Sequence, residues 1–138
     1  MPKQKISWEN LNKKSIILAE KIKEFRPVKI YGIPRGGLIP ATIISYYLDI
    51  PLITILPIKF EENIIIIDEI CDSSKTISNY IEKNKEEYAK GFMKFGTIFV
   101  NSNNCKNYPN YFVKRTRNWL IFPYDQEKDT ISKIQCQQ

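Results

Sequence analysis

Residues 63–76 read Asn63-Ile64-Ile65-Ile66-Ile67-Asp68-Glu69-Ile70-Cys71-Asp72-Ser73-Ser74-Lys75-Thr76, and the first half of this stretch decides the fold. An unbroken β-branched run is the pattern of a central parallel strand buried on both faces, so Asn63 to Asp68 is expected as that strand. Behind it, Ser73 or Ser74 is placed to cap a helix running to about Lys85. Working upstream, Val28 to Ile33 reads as a short strand, followed by the Gly-rich turn Pro34-Arg35-Gly36-Gly37 and a helical pattern from Leu38 to Leu48. Asp49 leads into another strand near Pro51–Ile55. At the start, Ser7 can cap a helix whose stripe is Trp8, Leu11, Ser15, Leu18, Ile22 and Phe25; only Ser15 breaks the apolar face, and Pro27 ends it. Downstream, Phe95 to Val100 is a strand, and Tyr111–Val113 and Trp119–Phe122 are shorter ones. Strands alternating with helices imply βαβ units, hence an α/β fold with a central, mainly parallel sheet flanked by helices. Ligands of such sheets bind beyond the carboxyl ends of the strands, where Arg35-Gly36-Gly37 and Asp68 to Thr76 both fall.

The second half of the opening stretch carries the chemistry. Asp68, Glu69 and Asp72 crowd three carboxylates at a strand end, which is costly unless a cation or hydrogen-bond donors compensate. Hydroxyls and successive backbone N–H groups follow at once and open a helix, a ready phosphate site. Carboxylates beside a phosphate cradle suggest a ligand with both hydroxyls and phosphate, bridged by Mg²⁺, an ion that takes one or two carboxylates plus substrate phosphates. The plainer alternative is a polar turn that only caps the next helix, for which one Ser or Asp suffices. A Walker A loop ending at Lys75-Thr76 would need glycines where Glu69 and Ser74 stand, and the spacing of Gly32, Gly36 and Gly37 does not fit G-x-G-x-x-G.

Composition narrows the field. The chain has 138 residues, 43% hydrophobic and 26% charged, which suits one globular domain, 1–138, with 126–138 as a polar, loose tail. The absence of histidine excludes Ser-His-Asp and Cys-His catalysis and disfavours structural zinc. Cys71, Cys105 and Cys136 form no CxxC pair, which suits a reducing compartment. No apolar run approaches a membrane span and the first residues lack a signal-peptide core, so a soluble cytoplasmic protein is expected. The net charge of +6 is unevenly spread. Residues 1–30 and 81–138 are basic, while 31–80 hold three basic against six acidic side chains. Solvated lysine-rich flanks account for this, with steering of an anionic ligand or RNA as the alternative.

The segment Ile64–Thr76 resembles the signature of the type I phosphoribosyltransferases: a hydrophobic run, two acids, two apolar residues, then Asp-[Thr/Ser]-Gly-x-Thr, with Ser74 in place of the glycine. The turn Gly32-Ile33-Pro34-Arg35-Gly36-Gly37-Leu38-Ile39-Pro40 resembles the pyrophosphate loop of that family. Ile6-Ser7-Trp8-Glu9-Asn10-Leu11 resembles the start of its small purine (xanthine/guanine/hypoxanthine) members. Trp119-Leu120-Ile121-Phe122-Pro123-Tyr124-Asp125 resembles their Trp-x-x-Phe-Pro-Trp-[Asp/Glu] segment. The resemblance implies Mg²⁺-dependent transfer of a 5-phosphoribosyl group from phosphoribosyl pyrophosphate to a purine or purine-like base. It implies Asp68 and Glu69 on the ribose hydroxyls and the metal, and Asp72 as the catalytic, proton-handling carboxylate under the base. Ser73, Ser74, Lys75 and Thr76 would bind the 5′-phosphate through amides and hydroxyls, and Arg35, Gly36 and Gly37 the pyrophosphate. Trp119 would stack on the base, the Leu120 backbone would read its edge, and Asn101 would stand where purine members place a lysine. The usual dimers of the family imply a homodimer.

The chain departs from that pattern in three places. Pro51 to Asp68 spans 18 residues, too few for the long hood that closes over substrate in the family, and closure normally excludes water. Asn101 lacks the charge of the lysine. Ser74 restricts φ where a glycine is usual. These departures leave a second class in view: a non-catalytic protein of the same fold that binds a nucleotide, phosphoribosyl pyrophosphate or RNA as a regulator. The run Lys114-Arg115-Thr116-Arg117 beside Trp119 suits RNA phosphates and a solvated strand edge equally.

Overall fold

The computed structural model describes residues 2–125 and Gln135; the expected loose tail over 126–138 and the Cys136 thiol lie outside the described residues. Along the chain run β1 (Lys3–Lys5), α1 (Trp8–Ile22) with a 3₁₀ turn at Lys23–Phe25, β2 (Lys29–Gly32), α2 (Leu38–Leu48) and β3 (Leu52–Ile53). They are followed by β4 (Ile64–Cys71), α3 (Lys75–Lys83), α4 (Lys85–Ala89), β5 (Met93–Asn101), β6 (Tyr111–Thr116) and β7 (Trp119–Ile121). Five strands form one sheet in the order β3-β2-β4-β5-β6, and every neighbouring pair is parallel. The isoleucine run is its centre, as the sequence predicts: Ile64 to Ile67 pair with β2 on one side and β5 on the other.

Alternation along that strand supplies two cores. Ile65 and Ile67 join Leu11, Leu18 and Ile22 of α1 and Ala41 and Ile44 of α2. Ile64 and Ile66 join Tyr31, Ile77 of α3, Met93 and Phe95. All four isoleucines are at most 1% exposed, and burying each contributes roughly 1.5–3 kcal/mol. Ser7 caps α1 as expected, its hydroxyl accepting from the Asn10 amide at 3.0 Å. Ser15 interrupts the stripe at no cost to polarity, because its buried hydroxyl donates to the Leu11 carbonyl at 2.7 Å.

Most strand ends shift by one to three residues from the sequence reading, and two boundaries and one missed element have a clear physical reason. β4 extends to Cys71 rather than stopping at Asp68, because Ile70 and Cys71 still pair with Phe99 and Val100. The helix expected to reach Lys85 ends at Lys83, where Asn84 leaves the helical region and a short second helix begins. β1 had no expectation at all. It lies parallel to β7, with Lys3 opposite Trp119 and Lys5 opposite Ile121.

Candidate active site

The site lies at the carboxyl end of the sheet, where β2, β4 and β5 hand over to turns. Between β2 and α2 the peptide joining Pro34 to Arg35 is cis. Gly37 is buried there, and a Cβ on it would stand 2.6 Å from the carbonyl oxygens of both Ile33 and Ile67. Its N–H donates to the Ile33 carbonyl at 2.9 Å. The Gly37 amide is thus used inside the fold, and glycine is needed because two backbones approach it. Arg35 and Gly36 remain open. A Cβ on Gly36 would coincide with a carboxylate oxygen of Glu69.

The turn between β4 and α3 is built differently. Ser74 adopts φ 66°, in the left-handed region, which costs a side-chain-bearing residue of order 1–2 kcal/mol. Its hydroxyl is buried and does not cap α3. It accepts from the amides of Asn107 at 2.9 Å and Lys106 at 3.1 Å and donates to the Asn107 carbonyl at 3.0 Å. The hydroxyl expected on the 5′-phosphate thus faces the 102–107 loop. Cys71 and Cys105 sit beside it with sulfurs 2.8 Å apart, and both thiols are free and buried. Burial, with the Cys105 contact second, pushes the Cys71 thiol up to about 12, which fits the inert apolar filler expected at this position.

Asp68 and Glu69 leave β4 differently. Asp68 accepts the Glu69 amide at 2.9 Å. Burial first, and the adjacent Glu69 charge second, push its carboxyl up to about 9. Glu69 accepts the Tyr124 hydroxyl at 3.0 Å. Asn101 is 5% exposed; its amide nitrogen donates to Asp72 at 2.9 Å, while its amide oxygen accepts from Asn103. Asn101, expected on the base, thus has Asp72 as its side-chain partner, and one of its amide hydrogens is not used by these bonds.

These groups line one cleft of about 610 Å³, bounded by Arg35, Gly36, Glu69, Asp72, Asn101, Trp119 and Leu120, with Ile39, Ile70, Asn118, Phe122, Tyr124 and Asp125. A smaller hollow of about 290 Å³ shares Glu69, Ile70 and Asp72 with it and adds Asp68, Ser73, Ser74 and Thr76. Lys75 is exposed at the first turn of α3 and borders neither. Trp119 is 60% exposed, so it is a wall of the cleft and not core. The RNA-like run lies on the edge strand β6 and is absent from the lining; the Arg115 guanidinium stacks over Tyr108 and Phe112 at 5.4 and 5.6 Å. Sequence reasoning missed Asn118, whose side chain reaches Gln4 at 3.0 Å, and Tyr124. Asn118 carries no local mark, and Tyr124 stands inside the Trp119–Asp125 segment without a role assigned to it; both act through distant partners.

A parallel α/β sheet with a glycine-bearing turn on one strand end, adjacent carboxylates on the next and an aromatic wall beyond is the general arrangement of the nucleotide- and sugar-phosphate-handling class. No protein-family model matches the chain. It superposes on the purine phosphoribosyltransferase of Pyrococcus horikoshii Ot3 with TM-score 0.77 and 31% identity, over 92% of this chain and 97% of that one. The xanthine-guanine-hypoxanthine phosphoribosyltransferase of Helicobacter pylori shares the fold, with TM-score 0.78 and 17% identity over 95% and 99% of the two chains. The xanthine-guanine phosphoribosyltransferase of Cereibacter sphaeroides is 25% identical over 87% of this chain and 85% of its own length. The chain belongs to the type I phosphoribosyltransferase family, with the purine phosphoribosyltransferases as its relatives, and the relatives so named are transferases. Among the described residues no helix is long and apolar enough to cross a membrane.

Proposed function

We propose that this chain transfers the 5-phosphoribosyl group of phosphoribosyl pyrophosphate to a purine base, releasing pyrophosphate, with Mg²⁺ bound beside the sugar. The observation that carries the reading is the single cleft in which Arg35 and Gly36, Glu69 and Asp72, and Trp119 and Leu120 face one another. A ring nitrogen of the base attacks the anomeric carbon as the bond to the pyrophosphate oxygen breaks, and positive charge develops on the ribose, as in glycoside chemistry. Asp68 and Glu69 hold the ribose hydroxyls and stabilise that charge, while Arg35 and the Gly36 backbone receive the departing anion. Ser73, Lys75 and Thr76, with the Ser74 amide, hold the 5′-phosphate at the start of α3. Asp72, oriented by Asn101, accepts the proton that leaves the base. Trp119 stacks on the base and the Leu120 backbone reads its edge.

The donor set suits Mg²⁺. Among the described residues no group of three or more His, Cys, Asp or Glu side chains could hold a metal. Asp68 and Glu69 offer two hard oxygens, which match an ion completed by water and substrate oxygens. Burial first, and then the adjacent Glu69 charge, raise the proton affinity of Asp68, and a cation bound there would oppose both effects. When bound, the ion supplies electrostatic stabilisation of the leaving pyrophosphate.

Calorimetry and turnover test this together. The wild-type chain should bind phosphoribosyl pyrophosphate more tightly with Mg²⁺ than without, and Asp68→Asn combined with Glu69→Gln should abolish that difference. Pyrophosphate release assayed with adenine, guanine, hypoxanthine, xanthine and uracil should be positive for at least one purine. An unchanged Mg²⁺ response in the variant, or no release with any base, overturns the reading.

A further inference from the structure

Glu69 differs from Asp68 and Asp72 in how its side chain is held. Its carboxylate meets the hydroxyl of Tyr124, a residue 55 positions away, and the same oxygen, Oε2, fills the space beside Gly36 where a Cβ would stand. The tyrosine ring is itself fixed. It stacks on Phe122 with centroids 5.5 Å apart and planes 10° from parallel. It also packs at 6.2 Å against Trp8 at the start of α1. Phe122 is buried edge-on to Phe99. The Asp125 carboxylate accepts the Phe122 amide at 2.9 Å, closing the turn between them. A phenol keeps its proton across the neutral range, so the Tyr124 hydroxyl is the donor to Glu69. A glutamate has rotamer freedom that ordinarily leaves its oxygens spread over several positions. Here a charge-assisted hydrogen bond from a rigid ring removes that freedom.

We propose that Tyr124 is a positioning residue for Glu69, holding its carboxylate at the rim of the pyrophosphate turn so that it meets the ribose of phosphoribosyl pyrophosphate already oriented. The segment that carries the base-stacking Trp119 thereby also sets the sugar-binding carboxylate. Without the hydroxyl, Glu69 retains its charge but its carboxylate is no longer fixed beside Gly36, and it meets the ribose in several orientations instead of one. The proposal rests on the phosphoribosyltransfer reading above and adds to it a residue and a direction of effect.

The test is a double-mutant cycle on Tyr124→Phe and Glu69→Ala. Phosphoribosyl pyrophosphate affinity is measured by calorimetry for all four proteins, and steady-state kinetics for the wild type and Tyr124→Phe. Losing a hydrogen bond to a charged group should weaken phosphoribosyl pyrophosphate binding and lower its kcat/KM about tenfold, with the KM for the base within twofold of wild type. Tyr124→Phe keeps the ring against Phe122 and Trp8, so its melting temperature should stay close to that of the wild type. On the Glu69→Ala background the same substitution should change nothing further. Should Tyr124→Phe fold poorly, Tyr124→Leu, which also lacks the hydroxyl, serves in the same cycle. An equal loss with and without the Glu69 carboxylate, or a loss expressed in the base KM, overturns the proposal. A wild-type chain that neither binds nor turns over phosphoribosyl pyrophosphate overturns the functional reading itself, and that result is seen before any variant is made.

Discussion

Two turns, each opening a helix from the end of a sheet strand, solve the same problem by opposite means. The 34–37 turn closes on Gly37 because the Ile33 and Ile67 carbonyls leave no room for a side chain. The 72–76 turn closes on Ser74, which carries a side chain through a left-handed φ and fixes it with three hydrogen bonds to residues 106 and 107. In the first, glycine is demanded by contact. In the second, strain is offset by bonds that anchor a separate loop. A glycine missing from a motif therefore has two different meanings, depending on whether space or dihedral angle is the constraint.

The comparison breaks most readily at Gly37. Gly37→Ala should destabilise the fold by about 2–4 kcal/mol, since backbone, not a flexible side-chain tip, must move; a loss below about 1 kcal/mol in denaturant unfolding would show that the turn tolerates a side chain after all. Ser74 sharpens the contrast through a pair of variants. Ser74→Ala should cost about 1–3 kcal/mol by leaving the Lys106 and Asn107 amides unpaired. Ser74→Gly, equally lacking the hydroxyl but free of the φ penalty, should cost about 1 kcal/mol less. Equal stabilities for the two would mean that the dihedral angle is not the constraint. Trp119→Ala should affect the fold least, by under about 1 kcal/mol for a ring already largely exposed, while weakening nucleotide affinity by about 1–3 kcal/mol. A core residue would instead cost about 3–5 kcal/mol on truncation, so melting and binding measured on one variant separate the two roles.

What could be read from the sequence was what neighbouring residues decide together. The isoleucine run, the Ser7 cap and the span of α2 are local patterns, and they map directly onto β4, the start of α1 and Leu38–Leu48. The strand-end carboxylates and the exposed Trp119 were legible because their residue types are unusual in that order. The fate of individual polar atoms was not legible. The Asn101 amide meets Asp72 and the Ser74 hydroxyl meets Asn107, because each finds a partner about thirty residues away. Strand β1 escaped notice for a related reason: Lys3-Gln4-Lys5 is too short and too polar to show a period, and only β7 makes it a strand.

That pairing has a consequence in time as well as in space. Asn118 and Gln4, 114 positions apart in the chain, are hydrogen-bonded; the Trp119 amide donates to the Pro2 carbonyl, and the Ile6 amide to the Ile121 carbonyl. Contacts of such sequence separation are the slow ones in folding, because the intervening chain must already be in place before they reward the closure. On the ribosome the first strand emerges early and waits without a partner until β7 has been made. The five-stranded sheet and the turns that follow β2 and β4 can be complete by then, so a partly synthesised chain presents the floor of the cleft with no aromatic wall. The Trp119 side of the cleft is the last part of this molecule to form as it folds.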